Sequence, residues 1–158
     1  MNTNPDMNST APTGPRVLVF EDNEMVRFVV EQLLQRRGYD VLSYPSPALC
    51  PLHLLHKCQC GVAEFCADAI ITDLQMPLQE GLEFLQELAA KSCKVHRIAI
   101  LSADISQQTL EHARRLGCRV FTKPDGIHDL LGWLDSEMAH LDPDRKLRAW
   151  GGAWPEIT

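Results

Sequence analysis

Residues 17–24 read VLVFEDNE. Four apolar residues, two of them β-branched (Val17 and Val19), are too few for a buried helix and run directly into Glu21-Asp22. They are expected to form a short strand buried on both faces, with two carboxylates at its end. The period then changes. Val26, Val29, Val30, Leu33 and Leu34 recur at helical spacing, Arg36-Arg37 suit a helix C-terminus, and Gly38 can take a left-handed stop. The rest of the chain repeats this strand-then-helix unit. Tyr39–Tyr44 forms a second strand closed by Pro45 and Pro47, and a helical turn or two is expected over 48–57. Ala69–Thr72 is a third strand ending at Asp73; a loop with Pro77 and Gly81 leads into a stripe of Leu82, Leu85, Leu88 and Ala89. Ile98–Leu101 is a fourth, ending at Ser102, before a helix of Leu110, Ala113 and Leu116 that Ser106 can cap and Gly117 can end. Arg119–Phe121 is a fifth, before Lys123-Pro124; the last helical face is Ile127, Leu130, Leu131, Leu134 and Met138, with Asp125 as its N-cap. Five β-α units in succession predict an α/β fold: a three-layer α/β/α sandwich around a five-stranded parallel sheet.

Composition narrows the function classes. The 158 residues suit one domain with short tails, here a leader over 1–15, a body over 16–140 and a tail over 141–158. Fifteen Lys and Arg against 21 Asp and Glu leave a net charge of −6, which argues against binding nucleic acid through a broad basic surface. No apolar run approaches the roughly 18–20 residues that span a bilayer. MNTNPDMNSTAPTGP lacks the basic and apolar regions of a secretory signal, so a cytoplasmic protein is expected. The tail is too short for an output domain; its Trp150 and Trp154 either pack back or dock a partner.

In parallel α/β sheets the ligand site lies at the C-terminal ends of the strands. Glu21, Asp22, Asp73, Ser102 and Lys123 each follow an apolar run and should therefore emerge at one edge. Loops are polar, and that alone accounts for one or two such positions but poorly for the set. Clustered carboxylates repel one another and favour a hard divalent cation such as Mg²⁺. A carboxylate beside such a cation can attack phosphorus and form an aspartyl phosphate. A lysine and a hydroxyl could hold the remaining phosphoryl oxygens.

These pieces resemble the receiver domain of two-component response regulators: VLVFEDNE, IITDLQMP, the glycine of EGLEFL, AILSAD and FTKP, in that order over roughly residues 16–140. The resemblance implies the flavodoxin-like strand order 2-1-3-4-5. It makes Asp73 the phosphoacceptor, Ser102 the switch hydroxyl and Lys123 the phosphate-pairing cation. Asp22 becomes a direct ligand of Mg²⁺ (or Mn²⁺), Glu21 an acidic partner, and the Gln75 backbone carbonyl a further ligand. The peptide before Pro124 is often cis in the family. The implied partners are a sensor histidine kinase or histidine phosphotransfer protein upstream and a protein contacted downstream, in bacterial-type signalling. Such a domain is not a classical enzyme, but it takes part in its own phosphorylation and autodephosphorylation. In the family an aromatic residue three before the lysine turns inward and reshapes the face formed by the last two helices and the strand between them. Here Val120 holds that position and Phe121 stands two before Lys123, in a segment one residue short. Either Phe121 serves by a local shift or the aromatic rotation is absent. A haloacid-dehalogenase-type hydrolase also uses an aspartate nucleophile, but it would want D-x-D after the first strand, and Glu21-Asp22-Asn23 is not that.

Between the second and third strands the chain is longer than the family pattern. ALCPLHLLHKCQCGVAEFC (48–66) holds Cys50, His53, His56, Cys58, Cys60 and Cys66. Thiolates and imidazoles at short spacing are ligands for Zn²⁺, an iron–sulfur cluster or copper(I), although no C-x₂-C pair is repeated. Equally, the segment can be a helix with cysteines as small core residues, or can hold a disulfide such as Cys58–Cys66. A metal- or redox-sensing module on a receiver scaffold and a phosphorylation-independent binding module are the alternatives to the phosphoacceptor reading. Cys93 and Cys118, and His96, His112, His128 and His140, lack site context.

Overall fold

The computed structural model describes residues 14–47, 64–74, 81–90 and 95–147. In chain order the elements are β1 (Arg16–Phe20), α1 (Glu24–Arg36), β2 (Asp40–Tyr44), β3 (Glu64–Phe65), β4 (Ala69–Thr72), α2 (Gly81–Ala90), β5 (Ile98–Ser102), α3 (Gln107–Arg115), β6 (Arg119–Thr122), α4 (Gly126–Met138) and β7 (Lys146–Leu147). The main sheet is parallel throughout, in the order β2-β1-β4-β5-β6. Counting its five strands alone, this is the expected 2-1-3-4-5.

Successive strand residues point to opposite faces, and each face is covered. Leu18, Phe20, Ile70 and Ile100 pack with Phe84, Leu85 and Leu88 of α2 and Ala113 of α3. Val17, Val19, Ile71, Ala99 and Leu101 pack with Val30 and Leu34 of α1 and Leu130, Leu131 and Leu134 of α4. This is the three-layer sandwich. Fully burying a side chain such as Phe20, Leu34 or Ile100 contributes roughly 1.5–3 kcal/mol. Gly38 at φ +90° and Gly117 at φ +82° end the turns after α1 and α3 in the left-handed region, as their positions in the sequence suggest.

Several local expectations need correction. Val29 is 41% exposed and Ala89 is exposed, whereas Phe84, outside the α2 stripe as read, is 1% exposed. Phe84 instead meets Phe20 edge to face, ring centroids 4.9 Å apart. Asp125 makes no side-chain cap to α4, because its backbone is already helical there; Ser106 does cap α3, accepting from the Thr109 amide at 3.1 Å.

The segment after α4 does not leave the domain at once. Arg145 grips Asp68 through Nε (2.5 Å) and Nη2 (2.8 Å), and β7 pairs in parallel with β3. Asp68 also accepts from the Arg16 amide at 2.9 Å. Residues 141–147, read from the sequence as tail, are thus tied beneath the N-terminal ends of the strands. The expected helical turns at 48–57, and Cys50, His53, His56, Cys58, Cys60, Cys93, Trp150 and Trp154, lie outside the described residues. Cys66 is buried, 3% exposed, in the core face that carries α2.

Candidate functional site

The sheet's own hydrogen bonds run one residue past the strand ends and carry polar residues with them. The Glu21 amide donates to the Tyr44 carbonyl (3.1 Å), the Asp73 amide to the Phe20 carbonyl (2.9 Å) and the Lys123 amide to the Ser102 carbonyl (2.9 Å). Three residues separated in sequence are therefore fixed at one edge by backbone pairing before their side chains contribute. The Lys123–Pro124 peptide is cis.

Lys123 Nζ stands 2.7 Å from Glu21 Oε2 and 2.9 Å from Asp73 Oδ2. Asp73 Oδ1 accepts from the Leu74 amide at 2.6 Å, and Glu21 Oε1 accepts from the Asn23 amide at 3.2 Å. Glu21, Asp22 and Asp73 each offer a carboxylate oxygen, all within 4.8 Å of one another. Glu21 and Asp73 are buried, while Asp22 is exposed at the rim. Three acidic side chains gathered around one ammonium make the cluster acidic, which suits a divalent cation. The donor atoms are hard oxygens with an open side toward solvent, which fits Mg²⁺ with its reluctance to shed water. Ser102, 2% exposed, donates from Oγ to the Asp104 carbonyl at 3.3 Å.

Burial raises the Glu21 carboxyl above the ordinary carboxylate range; the Asp73 charge adds to this, and Lys123 pulls against it. Burial alone would lower Lys123. The bonds and charges of Glu21 and Asp73 outweigh it, so the ammonium is held above its usual range and stays protonated.

The structure thus brings together Glu21, Asp22, Asp73, Ser102 and Lys123; Gln75 lies outside the described residues. Two neighbours escaped the sequence reading. Asn23 caps α1, its Oδ1 accepting from the Val26 amide at 3.1 Å, and Arg27 Nη1 donates to the Glu21 backbone carbonyl at 2.9 Å. An N-cap signal was available at Asn23, directly before the helical stripe. Nothing in the sequence marks Arg27, which reads as one more charge on a wet helix face.

The strand beside Lys123 sets which face Val120 and Phe121 each take. Val120 faces the layer of α2 and α3, half-buried against the core cluster that holds Phe84, Leu85 and Ala113. Phe121 faces the opposite layer, with Leu130, Leu131 and Leu134, and its ring lies 5.9 Å from that of Trp133. A one-residue slip would be needed to exchange them, and that would turn every side chain of β6 to the wrong face. In this register Phe121 does not occupy the face that Val120 holds.

No helix among the described residues is long and apolar enough to cross a membrane. Among curated proteins, the chain is 28% identical over 132 residues to the transcriptional regulatory protein PdtaR of Mycobacterium tuberculosis, covering 82% of this chain and 59% of that protein. It is 30% identical over 109 residues to the sensory/regulatory protein RpfC of Xanthomonas campestris pv. campestris, covering 67% of this chain and 14% of that protein. The chain therefore spans about three-fifths or less of the length of these relatives. Among solved structures, the receiver domain of the Francisella response regulator 1452 superposes with a TM-score of 0.65 at 22% identity, over 80% of this chain and 98% of that one. A response regulator receiver protein from Pseudomonas putida gives a TM-score of 0.65 at 24% identity, over 80% and 99%. These two likenesses carry the fold. The sequence pattern of the response regulator receiver domain matches residues 17–134, and the chain belongs to that family, the receiver modules of two-component signalling.

Proposed function

We propose that this receiver accepts a phosphoryl group on Asp73 from a phosphohistidine of a sensor kinase or a phosphotransfer protein, with Mg²⁺ (or Mn²⁺) held by Glu21, Asp22, Asp73 and the Gln75 carbonyl. The observation that carries this is the environment of Asp73: a buried carboxylate at the sheet edge, 2.9 Å from the Lys123 ammonium and grouped with two more carboxylates. A bound Mg²⁺ would supply charge neutralisation for phosphoryl oxygens that three carboxylates would otherwise repel.

The chain's own groups do the rest. Contact with Lys123 and the Leu74 amide aims the Asp73 carboxylate. An Asp73 oxygen forms a bond to phosphorus, and the phosphorus–nitrogen bond of the donor breaks with its electron pair returning to the imidazole ring. Lys123, released from Asp73, pairs with a phosphoryl oxygen. Ser102 exchanges its 3.3 Å bond to the Asp104 carbonyl for another phosphoryl oxygen, which loosens the loop leading into α3. Water attack on the acyl phosphate resets the domain. Met25, Phe28 and Val29, exposed by 71%, 57% and 41% on α1 beside the pocket, give the donor an apolar place to seat.

With Val120 at the position of the aromatic switch, output does not run through a ring turning inward at β6. It runs through altered contacts of the loop at 103–106 and α3. The domain body extends from Arg16 through Leu147, past the boundary read at His140.

Phosphotransfer profiling tests the reading. Radiolabelled histidine kinases are mixed one by one with wild type and Asp73→Asn. Rapid label transfer from at least one kinase to wild type, and none to Asp73→Asn, is expected. Equal labelling of both proteins refutes Asp73 as acceptor. No labelling by any kinase, together with no measurable Mg²⁺ binding, favours the phosphorylation-independent module.

A further inference from the structure

The turn that presents Glu21 and Asp22 hangs between β1 and α1, and its conformation decides whether those carboxylates meet Asp73, which is anchored separately on β4. The Glu21 amide is paired with the Tyr44 carbonyl (3.1 Å), its carboxylate with Lys123 (2.7 Å) and the Arg27 amide with the Asn23 carbonyl (2.9 Å), and three further bonds shape the turn. The Asn23 amide donates to Glu21 Oε1 (3.2 Å), the Asn23 side chain caps α1 at the Val26 amide (3.1 Å), and Arg27 Nη1 reaches back from the first turn of α1 to the Glu21 carbonyl (2.9 Å). The first two act within the turn or on the helix end. Only the Arg27 bond ties the helix side chain to the backbone of Glu21 itself, a residue just 3% exposed. Replacing Arg27 by an apolar residue removes the donor that this carbonyl uses.

The charge of Arg27 works the other way. A guanidinium at the mouth of a cation site repels the cation, so electrostatics alone would give this receiver weaker Mg²⁺ binding than an uncharged residue would. An arginine kept in contact with the turn therefore has to act through geometry if it helps at all. We propose that Arg27 is a positioning residue for the cation site. By holding the Glu21 carbonyl it fixes the turn so that the Glu21 and Asp22 carboxylates converge on Asp73 before the cation arrives. The inference rests on Glu21, Asp22 and Asp73 being that site.

Geometry and charge predict opposite signs, so one variant separates them. Calorimetric titration with Mg²⁺ is run on wild type, Arg27→Met, Arg27→Lys and Asp22→Asn, with thermal unfolding of each in EDTA. Arg27→Met is expected to raise the Mg²⁺ dissociation constant about tenfold, the lower end of what outer-shell partners of metal ligands contribute. Arg27→Lys, which keeps a donor of nearly the same reach, should recover most of that, and the melting temperature in EDTA should hold steady across the arginine variants. Arg27→Met binding Mg²⁺ as tightly as wild type, or more tightly, overturns the proposal. So does a loss of affinity matched by a fall in the EDTA melting temperature, which marks a role in the fold at large. Asp22→Asn reports on the site itself: if it binds Mg²⁺ like wild type, the site assignment fails and the inference with it. If it loses binding while Arg27→Met does not, only the inference fails.

Discussion

Arg145→Met tests whether the segment after α4 belongs to the domain. In the folded protein Asp68 is buried, its side chain 2% exposed, and Arg145 closes over it with two bonds of 2.5 and 2.8 Å while itself only 16% exposed. Truncating one partner of a buried pair costs about 3–5 kcal/mol, because the other charge is left in the interior. Here the loss is smaller. Asp68 keeps the Arg16 amide at 2.9 Å, the Arg16 guanidinium contributes a favourable charge, and water can follow along the exposed edge that Arg145 vacates. About 2–3 kcal/mol remains, which for a domain of this size lowers the melting temperature by roughly 8 °C. The assay is thermal unfolding by circular dichroism for wild type, Arg145→Met, Asp68→Asn and the double variant. Arg145 and Asp68 act as a unit, so the double variant should be less destabilised than the sum of the singles. The shift should also persist in high salt, since the pair is shielded from ions. Arg145→Met melting within a degree of wild type, or singles that simply add in the double, would refute the reasoning and return residues 141–147 to the status of a tail.

Two further outcomes follow from the same structure. Burial pushes the Cys118 thiol up to about 11, so at pH 8 only about one molecule in a thousand carries the thiolate; alkylation of the native protein followed by peptide mapping should leave Cys118 unmodified at pH 8, with reaction appearing only as the pH nears 11, and fast labelling at pH 8 would contradict its packing. Phe121 rests against Trp133 on the α1 and α4 layer, so beryllofluoride with Mg²⁺ should shift the Ser102 amide resonance while leaving the Phe121–Trp133 nuclear Overhauser contacts intact; loss of those contacts would show that Phe121 does act as a switch.

The main sheet was legible because four of its five strands announce themselves twice, by a short apolar run and by the polar residue that follows it. Phe20 leading into Glu21, Thr72 into Asp73 and Phe121-Thr122 into Lys123 are places where burial and chemistry change within a step or two, so the pocket could be read before any coordinates. Helix faces were less legible. Val29 and Ala89 fit an apolar stripe yet face solvent, and Phe84 sits off the stripe yet is buried, because a hydrophobic period fixes a helix face only to within a residue and the facing ring of Phe20 decides the rest. Long-range polar pairs were not legible at all. Asp68 and Arg145 are 77 residues apart and Arg27 acts on a backbone carbonyl, so no local spacing carries either contact. That Val120 stands three before Lys123 is plain in the sequence, but which face Phe121 takes turned on strand register, which only the paired strands reveal.

Asp73 carries the central claim, and intact-protein mass spectrometry tests it most directly. Wild type incubated with acetyl phosphate and Mg²⁺ should gain the mass of one phosphoryl group, lose it again with EDTA-sensitive hydrolysis, and map the label to Asp73; Asp73→Asn should gain nothing. A wild type that stays unmodified, or an Asp73→Asn variant that gains the same group, would contradict the account.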